Sequence, residues 1–82
     1  MYSILFNPLA EKQLKKLDNN LQRRILDVLN RIRIRPHHFV KRLVGSTYFR
    51  LRVGDYRIIL DIQNDKLVIV VIELGHRKNI YD

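Results

Sequence analysis

Arginine is the side chain with the most chemistry to offer in this sequence, and its spacing indicates which chemistry. Arg50, Arg52 and Arg57 fall within the ten residues Tyr48-Phe49-Arg50-Leu51-Arg52-Val53-Gly54-Asp55-Tyr56-Arg57, and Arg77 follows in Gly75-His76-Arg77. Successive side chains of an extended strand point to opposite faces, so Tyr48, Arg50 and Arg52 share one face and Phe49, Leu51 and Val53 the other. Gly54-Asp55 reads as a two-residue hairpin turn, and the return strand from Tyr56 brings Arg57 near the first pair. Gripping or cleaving a phosphodiester needs positive charge where negative charge sits or grows, and a guanidinium supplies charge together with forked hydrogen-bond geometry. Arg50, Arg52, Arg57 and Arg77 are the candidates for that work. Tyr81, four residues beyond Arg77, is placed to stack on a base or to donate a proton. Tyr48, Lys41, Arg42, His76 and Lys78 extend the same expected surface as nucleic-acid-binding candidates.

Each candidate also has a plainer reading. Arg50 and Arg52 suit the solvated outer face of a half-buried hairpin, and Arg57 suits a surface ion pair with Asp55 or Asp61. Tyr48 and Tyr56 suit sheet-edge packing, Tyr81 suits packing of the tail, and His76 suits a hydrogen bond to the backbone. His37 and His38 follow Pro36 in an expected solvent-facing loop, and no third ligand stands at a zinc-like spacing, so no metal site is expected. There is no phosphate-binding glycine loop, no useful pair of carboxylates, and no serine or cysteine nucleophile with a base. An enzyme built from these residues needs no cofactor and works by positioning and electrostatics on a substrate that carries its own nucleophile. RNA is such a substrate, through its 2′-hydroxyl.

Charge distribution supports a polyanionic partner. The 82 residues carry a net charge of +8, with sixteen Lys/Arg, ten of them arginine, against eight Asp/Glu. Residues 31–57 hold eight cations and one acid, so that third contributes nearly all of the excess. The length suits one domain, 1–82, with one modest core. The absence of cysteine excludes a disulfide framework and thiolate metal sites and suits a reducing compartment, with the cytoplasm as the default. The first residues lack the pattern of a signal peptide, and no apolar run approaches a membrane span.

The elements that must position these side chains follow from pattern. Residues 2–6 read as a strand. Asn7-Pro8 supplies an N-cap and a first-turn proline for a helix expected to carry Leu9, Leu14 and Leu17 inward, and Asp18-Asn19-Asn20 breaks it. A second helix carries Leu21, Ile25, Val28, Leu29 and Ile32 on one stripe and should fade before Pro36. Three strands, at about 47–53, 56–63 and 66–74, turn at Gly54-Asp55 and Asn64-Asp65. The last is apolar throughout its centre, which predicts burial on both faces. The expected fold is α+β: an N-terminal strand, a helical hairpin, then a three-stranded antiparallel meander, with the helices on one face of a small, mostly antiparallel sheet.

Two stretches, Arg50-Leu51-Arg52-Val53-Gly54-Asp55-Tyr56-Arg57-Ile58-Ile59 and Ile72-Glu73-Leu74-Gly75-His76-Arg77-Lys78-Asn79-Ile80-Tyr81, resemble the signatures of the RelE/ParE toxin superfamily. The similarity spans essentially the whole chain, including Asn7-Pro8 and a helical hairpin with Arg23-Arg24, and the Arg77 to Tyr81 ending favours the RelE branch. The resemblance implies the toxin of a type II toxin-antitoxin pair, an endoribonuclease that cuts mRNA in the ribosomal A site by 2′-hydroxyl attack. By position, Arg57 would stabilise charge on the phosphate, Arg77 would assist the leaving 5′-oxygen, and Tyr81 would stack on or orient the nucleotide. Arg50 and Tyr48 stand where the best-known bacterial member has lysines, one of them implicated as the general base. Arginine does not readily give up its proton, so Arg50 reads as an electrostatic clamp and the base stays open among Tyr81, His76 and a ribosomal group. The resemblance also implies an acidic, RelB-like antitoxin that folds on binding, with the sheet edge and Leu14, Leu17 and Leu21 as docking surfaces. Two alternatives remain at this point: a ParE-like inhibitor of DNA gyrase that leaves RNA intact, and a non-catalytic basic RNA-binding domain.

Overall fold

The computed structural model describes residues 1–76. It has five strands and two α-helices in the order β1 (Ser3–Phe6), α1 (Pro8–Lys15), α2 (Asn19–Ile32), a 3-10 turn (Pro36–His38), β2 (Lys41–Arg42), β3 (Phe49–Val53), β4 (Tyr56–Gln63) and β5 (Val68–His76). The sheet order is β1-β5-β4-β3-β2, with β1 parallel to β5 and every other pair antiparallel. The expected architecture is therefore present, with one addition. The two-residue strand β2 extends the meander beside β3, and so short a segment carries no periodicity to announce it.

Local chemistry sets the helix boundaries. Asn7 Oδ1 accepts from the Ala10 amide at 2.8 Å with Pro8 in the first turn, and Asp18 Oδ1 accepts from the Leu21 amide at 2.9 Å. Between the helices, the Gln22 side chain donates to the Leu17 carbonyl at 2.7 Å, satisfying an acceptor left open past the end of α1. The far end of α2 is tied to the N-terminus in both directions: Tyr2 N donates to the Arg33 carbonyl at 3.0 Å, and Arg33 Nε donates to the Tyr2 carbonyl at 2.7 Å.

Both helices lie over one face of the sheet. Ile25, Leu29 and Ile32 from α2 and Ala10 and Leu14 from α1 close on Leu51, Val53, Ile58, Leu60, Ile62, Ile69, Val71 and Leu74. Leu9 departs from expectation, being 50% exposed while Ala10 is fully buried. The helical spacing 10, 14, 17 faces the sheet, and a small residue at the first contact lets α1 approach β5 closely. That approach has a second role. The Leu74 amide lies past Val71, where β1 has ended, and it donates instead to Gln13 Oε1 of α1 at 2.8 Å.

β5 also departs from expectation. Ile69, Val71 and Leu74 are buried, but Val68, Val70 and Ile72 on the other side are only half-buried. An internal strand of a two-layer fold has helices over one face, so a continuous apolar run overstates its burial. The strand begins at Val68 because Leu67 takes a left-handed conformation (φ 53°) that closes the preceding turn.

Candidate nucleic-acid interface

Strand register turns the sequence candidates into a surface. Lys41 pairs with Arg50, Arg50 with Ile59, and Ile59 with Glu73, so these four form one row across β2, β3, β4 and β5. Arg52, Arg57 and Gly75 form the adjacent row. Neither row shares its face with the core residues Leu51, Ile58 and Leu74, so both lie on the side of the sheet that is helix-free among the described residues. This side is cationic at Lys41, Arg50, Arg52 and Arg57 and apolar at Leu5, Val68 and Val70, with Glu73 and Asp61 between. Between Phe39, Lys41, Arg50 and Arg52 the surface sinks into a hollow of about 140 Å³. The hairpin that carries Arg50, Arg52 and Arg57 turns at Gly54, whose φ of 58° is the left-handed value that such a two-residue turn requires.

The exposures agree with the alternation. Arg52 is exposed between buried Leu51 and Val53, while Arg50 and Arg57 are half-buried and Arg57 Nε is withdrawn from solvent. Directly opposed guanidinium groups repel. With Arg50 and Lys41 in the adjoining row, the opposed pair Arg52 and Arg57 concentrates positive charge on one patch of the sheet. Arg57 faces Arg52 in this register, while Asp61 stands four residues along the strand and accepts from Gln63 Nε2 at 2.9 Å. Tyr48, 37% exposed, leads into β3, where its carbonyl accepts from the Leu43 amide at 3.0 Å.

Two of the expected contacts lie elsewhere. Arg42 pairs with Phe49 on the helix-bearing face and stacks over its ring at 5.2 Å. His76 pairs with Tyr56 on that face too, ring edge to ring face at 5.6 Å. A bulge between β4 and β5, near Ile59 and Leu60, changes the alternation along β5, and counting along the sequence alone misses it. The histidines after Pro36 face solvent as expected, in a 3-10 turn, with His37 edge-on to Phe49 at 5.2 Å and its Nε2 2.8 Å from Asn64 Oδ1. Arg77, Lys78 and Tyr81 lie outside the described residues. Glu73 joins the row of Lys41 and Arg50 without any expectation from the sequence. A lone carboxylate in an apolar run gives no signal until the register shows which cations share its face.

Comparison with known proteins identifies the family and the fold. The model of the ParE toxin of type II toxin-antitoxin systems, parDE, matches residues 4–81. The chain belongs to this family. Among solved structures, this family member is similar to the isolated E. coli RelE toxin, at 22% identity and TM-score 0.82 over 93% of this chain and 84% of that one. A chain of the M. tuberculosis RelBE2 toxin-antitoxin complex gives 23% identity and TM-score 0.83 over 93% and 98%. The archaeal RelE-RelB complex of Pyrococcus horikoshii gives 27% identity and TM-score 0.80 over 96% and 98%. No curated protein matches the toxin sequence. The toxin thus pairs a ParE family assignment with the fold of RelE, placing it in the RelE/ParE superfamily on the RelE side.

Proposed function

We propose that this toxin cuts mRNA held in the ribosomal A site, using the RNA's own 2′-hydroxyl as nucleophile. The observation that carries the reading is the helix-free face on which Arg52 opposes Arg57 and Lys41 adjoins Arg50, in a chain with RelE's fold. A phosphodiester laid on that face meets fixed positive charge where the transition state accumulates negative charge. Arg57, half-buried and therefore held in place, stabilises the phosphoryl oxygens. Arg50 clamps the phosphate, while Arg52, Lys41 and Tyr48 guide the adjoining strand. Arg77 assists the departing 5′-oxygen, Lys78 adds charge beside it, and Tyr81 stacks on the nucleotide. Arg42 and His76, on the other face, take no part in gripping this strand.

The same reading gives the toxin a RelB-like antitoxin, since the P. horikoshii relative is a RelE-RelB complex. An acidic chain covering the arginine rows would neutralise them directly. The toxin then acts in the cytoplasm, where ribosomes are.

Purified toxin should cut mRNA on programmed ribosomes, leave 2′,3′-cyclic phosphate and 5′-hydroxyl ends, and barely cut naked RNA. Arg57→Ala should slow the cut by about 10²–10³-fold, the usual loss when one preorganised donor is removed. Equal cutting of naked RNA would sink the ribosome-dependent form. The family's description as ParE of parDE supports a second reading, inhibition of DNA gyrase. Its signature is blocked supercoiling with mRNA intact and little sensitivity to Arg57→Ala.

A further inference from the structure

We propose that Glu73 is the general base that takes the proton from the attacking 2′-hydroxyl. The proposal rests on the mRNA-cutting reading and supplies the group that the arginine-rich face lacks. Glu73 is half-buried on β5, opposite Ile59 and in the same cross-strand row as Arg50 and Lys41. Arg57 is its diagonal neighbour, because Arg57 pairs with Gly75 two residues further along β5. Diagonal neighbours on one face of a sheet stand about 7–8 Å apart, within reach of long side chains. Arg50 is two strands away, roughly 10 Å at the usual strand spacing. Ile59, 5% exposed, fills the position between them. That apolar spacer keeps the carboxylate from being a direct cross-strand counterion of Arg50 and sets guanidinium and carboxylate on either side of one position of the row. Anion-binding guanidiniums thus flank the phosphate, with one proton acceptor at the rim where the 2′-hydroxyl would lie.

Other acceptors in the described residues are worse placed. His76 faces the helix side beside Tyr56. Asp61 shares the open face but lies beyond the arginine rows, and its Oδ2 accepts from Gln63. Asp55 sits in the hairpin turn at the end of the face, and Asp27 lies on α2 across the sheet.

The step balances without a cofactor. The 2′-hydroxyl proton passes to the Glu73 carboxylate as the 2′-oxygen bonds to phosphorus. The bond from phosphorus to the 5′-oxygen breaks, and the 5′-oxygen leaves with its electron pair and takes a proton from solvent water. The products are a 2′,3′-cyclic phosphate and a 5′-hydroxyl, and Glu73 later returns its proton to water.

The test is single-turnover cleavage of mRNA on programmed ribosomes by the full chain. Glu73→Gln keeps the size of the side chain but cannot take the proton, so its rate at saturation should fall by about 10²–10⁴-fold with little change in KM. Glu73→Asp, a base of shorter reach, should fall between Gln and wild type. Glu73→Ser should match Gln, which guards against a perturbation peculiar to the amide, and thermal melts report whether each variant is folded. With sulfur in place of the 5′-bridging oxygen at the scissile bond, the leaving group no longer needs a proton. The Glu73→Gln deficit should persist on that substrate, whereas loss of a group that assists departure should be rescued. A folded Glu73→Gln within threefold of wild type, or one rescued by sulfur, overturns the assignment of Glu73 alone. Wild-type protein that leaves ribosome-bound mRNA intact overturns the parent reading, and this one with it.

Discussion

Replacing Arg52 by glutamine should make the free protein more stable while weakening its hold on RNA. The register sets Arg52 directly opposite Arg57 on the helix-free face, and like charges at opposed positions are destabilising by up to about 1 kcal/mol. Coulomb's law gives a consistent figure. Two guanidinium groups about 6 Å apart repel by ~0.7 kcal/mol in water and by ~1.4 kcal/mol at half that dielectric constant. Arg52 is exposed and Arg57 half-buried, so the value lies between these limits, near ~1 kcal/mol. Lys41 and Arg50 in the next row add smaller terms of the same sign. For a domain of this size ~1 kcal/mol corresponds to roughly 4–8 °C in Tm. Glutamine keeps part of the stem that covers the sheet, so the charge is the principal loss.

The assay is thermal melting of wild type and Arg52→Gln at about 20 mM and 0.5 M NaCl. At the higher salt the screening length falls to roughly 4 Å, which leaves about a quarter of the repulsion. The variant should melt about 4 °C or more above wild type at low salt and nearly with it at high salt. An Arg52→Gln that melts lower than wild type at low salt, or that gains the same amount at both salts, would refute the electrostatic argument.

The hairpin turn offers a controlled comparison. Gly54 and Gly45 both have positive φ, at 58° and 72°, but a Cβ on Gly54 would stand 3.2 Å from Arg24 Nη1, while one on Gly45 would meet nothing within 4 Å. Alanine at either should lose about 1–2 kcal/mol to backbone strain, with Gly54→Ala the costlier by only a few tenths because the Arg24 tip can swing aside; urea titration of both variants measures the difference. Helix capping should be additive: Asn7→Ala and Asp18→Ala should each lose about 1 kcal/mol, and the double variant should lose their sum, since the caps serve separate helices. Denaturant midpoints at constant m-value check this.

Most of the fold was legible because its signals are local and repeated. The stripe through Ile25, Leu29 and Ile32, the caps at Asn7 and Asp18, and the turn at Gly54-Asp55 each specify one outcome. The alternation from Phe49 to Val53 likewise separated Arg50 and Arg52 from the core before any strand was paired. What could not be read depends on pairing. Leu9 and Ala10 exchange roles because the approach of α1 to β5 decides which side is inside, and propensity is silent on that. Arg42 lies across the sheet from Lys41 because β2 is too short to reveal its phase. His76 is displaced by a bulge, and Glu73 joins the cationic rows only through Ile59 and Arg50 on neighbouring strands. A candidate site assembled across four strands is a property of register, and register is a non-local quantity.

The opposed arginines also connect the stability of the toxin to its occupancy. A face that carries about 1 kcal/mol of self-repulsion in the free chain loses that penalty whenever an anion sits between the charges. A partner present at a hundred times its Kd stabilises the folded state by about 2.7 kcal/mol through mass action alone, which exceeds the internal cost. The variant gains less than wild type by RT times the logarithm of the ratio of their Kd values, so a Kd raised about tenfold, or ~1.4 kcal/mol, inverts the order on binding: Arg52→Gln melts above wild type when free, and wild type melts above Arg52→Gln once a saturating acidic peptide or oligonucleotide is added. Ligand-dependent melts of the two proteins at fixed low salt measure both orders. Persistence of the free-state order with ligand bound would mean that Arg52 does not meet the anion, and the proposed interface would have to be redrawn around Arg50 and Arg57 without it.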